Sequence, residues 1–462
     1  MDLFFHWMEN GDREKDMHRT RICIIGGGSR LWAINFMKDL TLNREVEGTV
    51  VLHDIDHEAA INNVSVGERM LRINGDEGRF VYIAEDNLEK ALEGAELVLI
   101  AIEPGKTECR YADLCLPEEY GILETVGDTT GPGGLIRARR ALPLFFGFAR
   151  AIEKVCPDAW VINYTNPMTL CTAALYRAFP AIKAFGCCHE VFHTEDMLCR
   201  LCEKEYGVLP SRRDLRVDIT GVNHFTFITS AWWQGHDLMK IVKRIAEDPQ
   251  TFSDHTAVAL ERTKKEKWFE SDNLVAFEFM RRFGVLGAAG DRHLSEFVPW
   301  FLSDEKYLNS LGVIRTPYSW RLKTAAEKKA KVFTPEELKA TPSGEEGVDI
   351  MMALLGEGNL KTNMNRPNEG QITYLPKGRI VESLGIISRD CVSPIVSQDP
   401  PLAVQNLIRR ISDEQQIALD AIWENNDDLL FEAFLMDPLV SIPVDKAREL
   451  FDRMLVEGRL RY

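Results

Sequence analysis

The sequence predicts an α/β protein whose N-terminal part is a doubly wound parallel sheet and whose C-terminal part is an α+β domain. Two observations carry this. In the first 190 residues, six short apolar runs alternate with amphipathic stretches, and the runs are apolar on both faces, as suits central parallel strands covered by helices. The first run also ends in consecutive glycines, directly ahead of a helical pattern.

Taken in order, the strands are expected at residues 21–26, 49–54, 79–84, 96–102, 160–164 and 183–188. In a doubly wound sheet ligands bind beyond the carboxyl ends of the strands, so the residues that follow each run carry the functional argument. Past residue 209 the texture changes. Strands are expected near 217–220 and 225–232, helices at 268–283 and 345–355, a β-rich stretch at 373–387 and helices across 402–451. The chain is therefore divided into an N-terminal extension (1–20), a sheet domain (21–208) and a second domain (209–462).

Composition excludes several classes. A chain of 462 residues with 45% apolar and 27% charged residues can bury two or three cores and is neither disordered nor low in complexity. Its 55 basic residues are outnumbered by 71 acidic ones, for a formal charge of −16, and no basic stripe interrupts that balance. Nucleic acid and anionic membranes are not expected partners. No segment reaches the roughly 18 consecutive apolar residues of a membrane span. Residues 1–20 lack a secretory pattern, so a cytoplasmic setting is expected, with the ten cysteines present as thiols.

The first strand runs into Gly26, Gly27, Gly28 and Ser29, followed by a helix expected at 30–42. Such a turn lets backbone N–H groups and a helix N-terminus approach a pyrophosphate, although Leu31 stands where a full G-x-G-x-x-G has its third glycine. Asp54 closes the second run, where a carboxylate can accept from both ribose hydroxyls. A Rossmann-type site for NAD follows, in preference to NADP, whose 2′-phosphate Asp54 would repel.

Later strand ends are also polar. The fifth gives Asn163-Tyr164-Thr165-Asn166-Pro167, and the sixth gives Gly186-Cys187-Cys188-His189-Glu190. A buried cysteine pair is ordinarily core packing. At a ligand-binding edge, beside an imidazole and a carboxylate, a thiolate is also a metal ligand, and Gly221-Val222-Asn223-His224 supplies a partner. Two ligands with open positions describe a catalytic metal, and softness alone suggests zinc, iron or cobalt. Cys199 and Cys202 lie in a helical pattern and read as core. Two further loops are dense in charge and glycine: residues 125–134, ahead of Arg137, Arg139 and Arg140, and residues 287–293, containing Asp291, Arg292 and His293.

From residue 21 onward these motifs together resemble glycoside hydrolase family 4, the NAD- and metal-dependent glycosidases of the lactate/malate dehydrogenase-like superfamily. The carrying segments are the GGGS turn at Gly26, the NP pair at Asn166, G-x-C-H at Gly186 to His189, G-x-N-H at Gly221 to His224, and GDRH at Gly290. The tetrad Cys188-His189-Glu190-Val191 is similar to that of the α-galacturonidase subgroup. The resemblance implies oxidation at carbon 3 of the sugar, loss of the carbon 2 proton, departure of the aglycone, addition of water and return of the hydride, outside the usual two-carboxylate scheme. It implies manganese held by Cys188 and His224, His189 as leaving-group acid, Asp291 as base, and Asn166 as substrate ligand. A homodimer or homotetramer is implied as well.

A galacturonide substrate carries a carboxylate, for which a bidentate arginine is the natural partner. Arg137 and Arg292 are expected in that role by position, with Arg110 a weaker choice. Competing readings are an α-glucuronidase or neutral α-glycosidase of the same family, a 2-hydroxyacid dehydrogenase, and a non-catalytic NAD-sensing protein.

Overall fold

The computed structural model describes residues 17–460. Six parallel strands form the first part of a sheet: β1 (His18–Ile25), β2 (Val46–His53), β3 (Phe80–Ala84), β4 (Leu97–Ile100), β5 (Trp160–Asn163) and β6 (Lys183–Gly186). Their spatial order is β3-β2-β1-β4-β5-β6. This is the doubly wound arrangement, with strand order reversing between β1 and β4. Side chains alternate between two apolar layers. Ile22, Ile24, Val50, Leu52, Leu97 and Leu99 pack on one face, and Cys23, Ile25, Val51, Val98 and Ile100 on the other. Each such buried side chain contributes roughly 1.5–3 kcal/mol.

The extension expected over residues 1–20 is shorter than that. His18, Arg19 and Thr20 already belong to β1 and pair with Val46, Glu47 and Gly48; residues 1–16 lie outside the described residues.

The second half continues the same sheet. It adds β7 (Arg216–Val222), β8 (Phe225–Trp233), β9 (His236–Asp237), β10 (Leu286–Gly287), β11 (Leu360–Pro367), β12 (Ile380–Ser388) and β13 (Cys391–Pro394). Strand β11 runs antiparallel to β6 through Asn365 and Gly186, and to β12 along its length. Strand β12 in turn pairs with β7, Glu382 opposite Gly221. The sheet thus crosses the expected boundary at residues 208 and 209 and brings the end of β6 beside the turn between β7 and β8.

Three expected elements have different limits. The helix expected at 268–283 is Leu274–Phe283, because Ser271, Asp272 and Asn273 favour turns and caps over a helix interior, and Asn273 is left-handed with φ 60°. The β-rich stretch at 373–387 begins only at Ile380, after Pro376 and a left-handed Gly378. Strand β11 escaped the pattern because its inward positions include Asn363 and Asn365, both buried polar residues. Among the described residues no helix is long and apolar enough to cross a membrane. Cys199 and Cys202 are buried in the helix Glu190–Tyr206, as expected.

Candidate functional site

The glycine turn is shaped for close approach. Gly26 has φ +96°, and a Cβ there would lie 2.1 Å from the carbonyl oxygen of Ala101. The amides of Gly26 and Gly27 both donate to the His53 carbonyl at 2.9 Å, which locks the turn against the end of β2. Gly28 N–H donates to Asp54 Oδ2 at 2.8 Å, and Asp56 N–H to Asp54 Oδ1 at 3.0 Å. Ser29 Oγ accepts from Trp32 N–H at 3.1 Å and opens the helix Trp32–Leu42. Asn63 completes the cradle: fully buried, it donates to the carbonyls of Gly27 and Ser29 at 2.8 and 3.0 Å. Nothing in the local spacing signalled Asn63, which comes from the neighbouring helix His57–Ile73.

Cys188 and His224, 36 residues apart in sequence, are brought into contact, with Sγ 3.2 Å from Nε2. His224 sits in the left-handed region at φ 65°, a strained conformation for a residue with a Cβ. Its other nitrogen, Nδ1, is 2.9 Å from Thr129 Oγ1, so the loop at 125–134 fixes the ring. Ligand atoms of Asp128, His224 and His293 lie within 4.8 Å of one another, and the rings of His224 and His293 are 3.9 Å apart. Burial pushes His224 down and, with the neighbouring His224 ring, pushes His293 down to about 4. Both rings are therefore neutral at pH 7, the form that ligates a cation.

A buried carboxylate underlies this cluster. Glu382 on β12 accepts from Asn363 Nδ2 at 2.9 Å, Asn365 Nδ2 at 3.0 Å and Thr226 Oγ1 at 2.5 Å. Asn363 also donates to the Cys188 carbonyl at 3.0 Å. Burial and then the Glu382 charge push the Cys188 thiol well up, so an adjoining cation is what would make it a thiolate.

His189 opens the helix Glu190–Tyr206 and is partly exposed; its Nδ1 lies 3.3 Å from Glu345 Oε1. Glu190 accepts from Gly290 N–H at 2.6 Å, and its other oxygen is 3.9 Å from His189 Nε2 and 4.0 Å from His293 Nε2. Burial acts to raise Glu190, but the surrounding imidazoles, His293 foremost, outweigh it and hold the carboxyl at about 2. Asp291 Oδ1 accepts from Ala276 N–H at 3.1 Å, at the start of the helix Leu274–Phe283. Burial outweighs that bond and pushes Asp291 up to about 6.

The expected substrate ligands are placed unequally. Asn166 Oδ1 is buried without a hydrogen-bond partner, and its carbonyl accepts from Arg137 Nε at 2.9 Å. Arg137 is otherwise engaged in a two-pronged ion pair with Glu103, one limb at 3.1 Å. Arg292 donates to the Trp268 carbonyl at 3.0 Å and lies over the Phe269 ring. Arg110 donates to the Gly127 carbonyl at 3.0 Å and lies 3.8 Å from Asp128. Sequence reasoning missed His293, Asp128, Thr129 and Glu382 as parts of the cluster. The signal for the first three was the charge and glycine density of their loops; Glu382 had none.

The sequence matches the family described as Family 4 glycosyl hydrolase over residues 21–204, and that family's C-terminal domain over residues 219–440. An α-galacturonidase of Thermoanaerobacter italicus is 41% identical over 459 residues, spanning 97% of this chain and 98% of that protein. A crystal structure described as that of a glucosidase from Bacillus subtilis superposes with a TM-score of 0.86 at 40% identity, covering 95% of this chain and all (100%) of that one. A 6-phospho-α-glucosidase from gut microorganisms, solved in complex with NAD and Mn2+, shares the fold at a TM-score of 0.76 and 20% identity, over 96% and 99% of the two chains. With both halves of the chain matched and the relatives aligned almost end to end, this protein belongs to glycosyl hydrolase family 4.

Proposed function

We propose that the protein is an α-galacturonidase that hydrolyses α-linked galacturonic acid oligomers or glycosides, using NAD and a divalent metal, manganese in the first instance. The observation that carries this reading is the contact of Cys188 with His224 at the carboxyl edge of the sheet, the same edge on which the glycine cradle lies. The 41% identity to an α-galacturonidase over nearly the whole chain supports the substrate class.

The residues fit both groups. Gly26 and Gly27 turn where a Cβ would collide with the backbone of Ala101 and Leu52, which lets the segment to Ser29 present its backbone to a pyrophosphate, and Asp54 takes the ribose. Cys188 and His224 hold the metal, with Asp128 and His293 within reach of the same ion. When bound, NAD supplies a reversible hydride acceptor and the metal a Lewis acid for the sugar oxygens. The protein's own part is positional and protonic. His189, oriented through Nδ1 by Glu345, presents Nε2 for protonation of the leaving oxygen. Asn166 offers its unpartnered Oδ1 to a sugar hydroxyl. Asp291, pushed up to about 6 by burial, is matched to a base working near neutral pH. The reading includes a cytoplasmic setting that keeps Cys188 reduced, and a homodimer or homotetramer.

The test is a panel of p-nitrophenyl α-glycosides, neutral and uronic, with NAD, manganese and a thiol reductant. Hydrolysis of the galacturonide, without net NADH and with exchange of the carbon 2 proton, is expected. Turnover of neutral sugars alone would sink the uronide reading, and net NADH from a simple hydroxy acid would favour a dehydrogenase.

A further inference from the structure

We propose that Arg321, backed by Arg110 and Arg292, receives the carboxylate of the sugar; this rests on the uronide reading above and deepens it. Arg321 belongs to the helix Tyr318–Ala330, whose residues are all at least partly exposed, although the Nε of Arg321 is covered. It is a cover lying across the loop at 125–134 rather than a part of the core. Its Nη2 donates to the Val126 carbonyl at 3.2 Å. Its Nε is enclosed and has no hydrogen-bond partner among the described residues.

The loop fixes where this guanidinium lies. Val126 is two residues before Asp128 and three before Thr129, whose side chains meet His224. Three residues span at most about 10 Å of chain, close to the reach of a hexose whose ring oxygens face the cation while its carbon 6 group points away.

Among the described residues no carboxylate pairs with Arg321. Arg110, Asp128, Arg292 and Glu103 are close enough to act on Arg321 electrostatically. Glu103 pairs with Arg137 and lies 3.9 Å from Arg110, which also faces Asp113 at 3.6 Å and Asp128 at 3.8 Å. Arg110 is thus supplied with carboxylates, whereas Arg321 makes no ion pair among the described residues, and burial with Arg110 nearby pushes it down to about 9. Arg292 Nε, like that of Arg321, is enclosed and unpartnered. A planar carboxylate fills such a fork with two parallel hydrogen bonds, which a neutral hydroxymethyl group cannot do. Arg137, expected from the sequence in this role, is spent on Glu103, and Arg321 is a cation held against the metal-facing loop without a carboxylate of its own among the described residues.

The experiment is calorimetric titration of D-galacturonate into the NAD- and manganese-loaded protein, comparing wild type with Arg321→Met and Arg321→Lys. A weakening of galacturonate binding by roughly 10- to 100-fold is expected in Arg321→Met, the range for lost charge-assisted hydrogen bonds. Partial recovery is expected in Arg321→Lys, which restores the charge but not the fork. NAD affinity measured on the same samples reports whether the sheet domain is intact. A galacturonate affinity in Arg321→Met within threefold of wild type overturns the assignment while leaving the uronide reading standing. No binding of galacturonate by the wild type overturns both.

Discussion

Glu296 lies three residues after His293, and the structure makes it the support of the separate loop that carries Asp128 and Thr129. Its Oε1 accepts from three consecutive backbone amides, Thr125 and Val126 at 2.6 Å and Gly127 at 2.9 Å. Glu296 is fully buried, as is Glu124 on the other side of the same loop, which accepts from Gly133 N–H at 2.9 Å. Burial pushes both carboxyls up, and the charge of Glu296 pushes Glu124 well above the usual range, so Glu124 is the one that keeps its proton to higher pH. Replacing Glu296 by Ala strands three enclosed N–H groups, each costing about 1–3 kcal/mol when unpaired. Taking the lower end, because water enters the space vacated, the loop loses about 3 kcal/mol, or roughly a hundredfold in its ordering equilibrium. Thr129, two residues on, then releases His224. The expected result for Glu296→Ala is manganese affinity lowered by one to two orders of magnitude, with NAD affinity within about twofold of wild type, since the glycine cradle shares no bond with this loop. Glu296→Gln, which keeps an acceptor oxygen, should fall between the two. Isothermal titration with manganese and with NAD measures both, and unchanged manganese affinity in Glu296→Ala would refute the reasoning.

Three further outcomes follow from the same geometry. Thr129→Val removes the partner of His224 Nδ1 at nearly constant volume and should weaken manganese binding roughly 10- to 100-fold, as losses of ligand-orienting hydrogen bonds do. Asp54→Ala removes the proposed ribose acceptor and the partner of Gly28 N–H, so NAD binding, followed by titration, should weaken roughly 10- to 100-fold while manganese binding holds. Asp437 and Glu414 form a buried acid pair in which burial pushes Asp437 up to about 6 and, with the Asp437 charge, pushes Glu414 well above its usual range. Folded-state values raised in this way contribute stability that is complete below pH 4 and is lost as pH rises through 6. Urea unfolding should therefore show wild type losing about 3 kcal/mol between pH 4 and 8 from Asp437 alone, with Glu414 adding to the loss. Glu414→Gln, which donates without needing a proton, should flatten that slope; an equal slope in both proteins would dismiss the pair as its origin.

The first half of the sheet was legible because strands buried on both faces leave a continuous apolar run, and the glycine turn is visible wherever backbone must approach a ligand. Cys188 and His224 were legible for a different reason: each ends a strand, and strand ends at one edge of a sheet are neighbours whatever their separation in sequence. The antiparallel continuation was harder to read. Strand β11 turns Asn363 and Asn365 inward to meet Glu382, so its pattern is polar where a core strand is expected to be apolar. Arg137 shows the limit of reading charge from position. Its place at the head of the helix Gly131–Val155 suggested a substrate ligand, whereas Glu103, at the end of β4, already neutralises it. Pairings of that kind depend on which loops fold back together, and a sequence taken alone does not contain that distance.

The same limit explains why the supports of the cleft were missed while Cys188 and His224 were found. A metal ligand is constrained in type, so cysteine and histidine at strand ends stand out. A support is constrained only to accept hydrogen bonds from buried amides, and any of the 71 acidic residues qualifies until the fold selects one. The selected ones come from late in the chain. Glu296 holds the amides of residues 125–127, Asp437 accepts from Gly131 N–H at 2.9 Å, and Glu382 anchors the asparagine that grips the Cys188 carbonyl. A carboxylate buried against N–H donors costs far more to strip of its partners than one in water, so each contact ties the order of an N-terminal loop to the folding of the C-terminal half. Loss of that half should therefore abolish manganese binding before it abolishes NAD binding, because the cradle from Gly26 to Ser29 is completed by Asp54 and Asn63 from its own strands and helices.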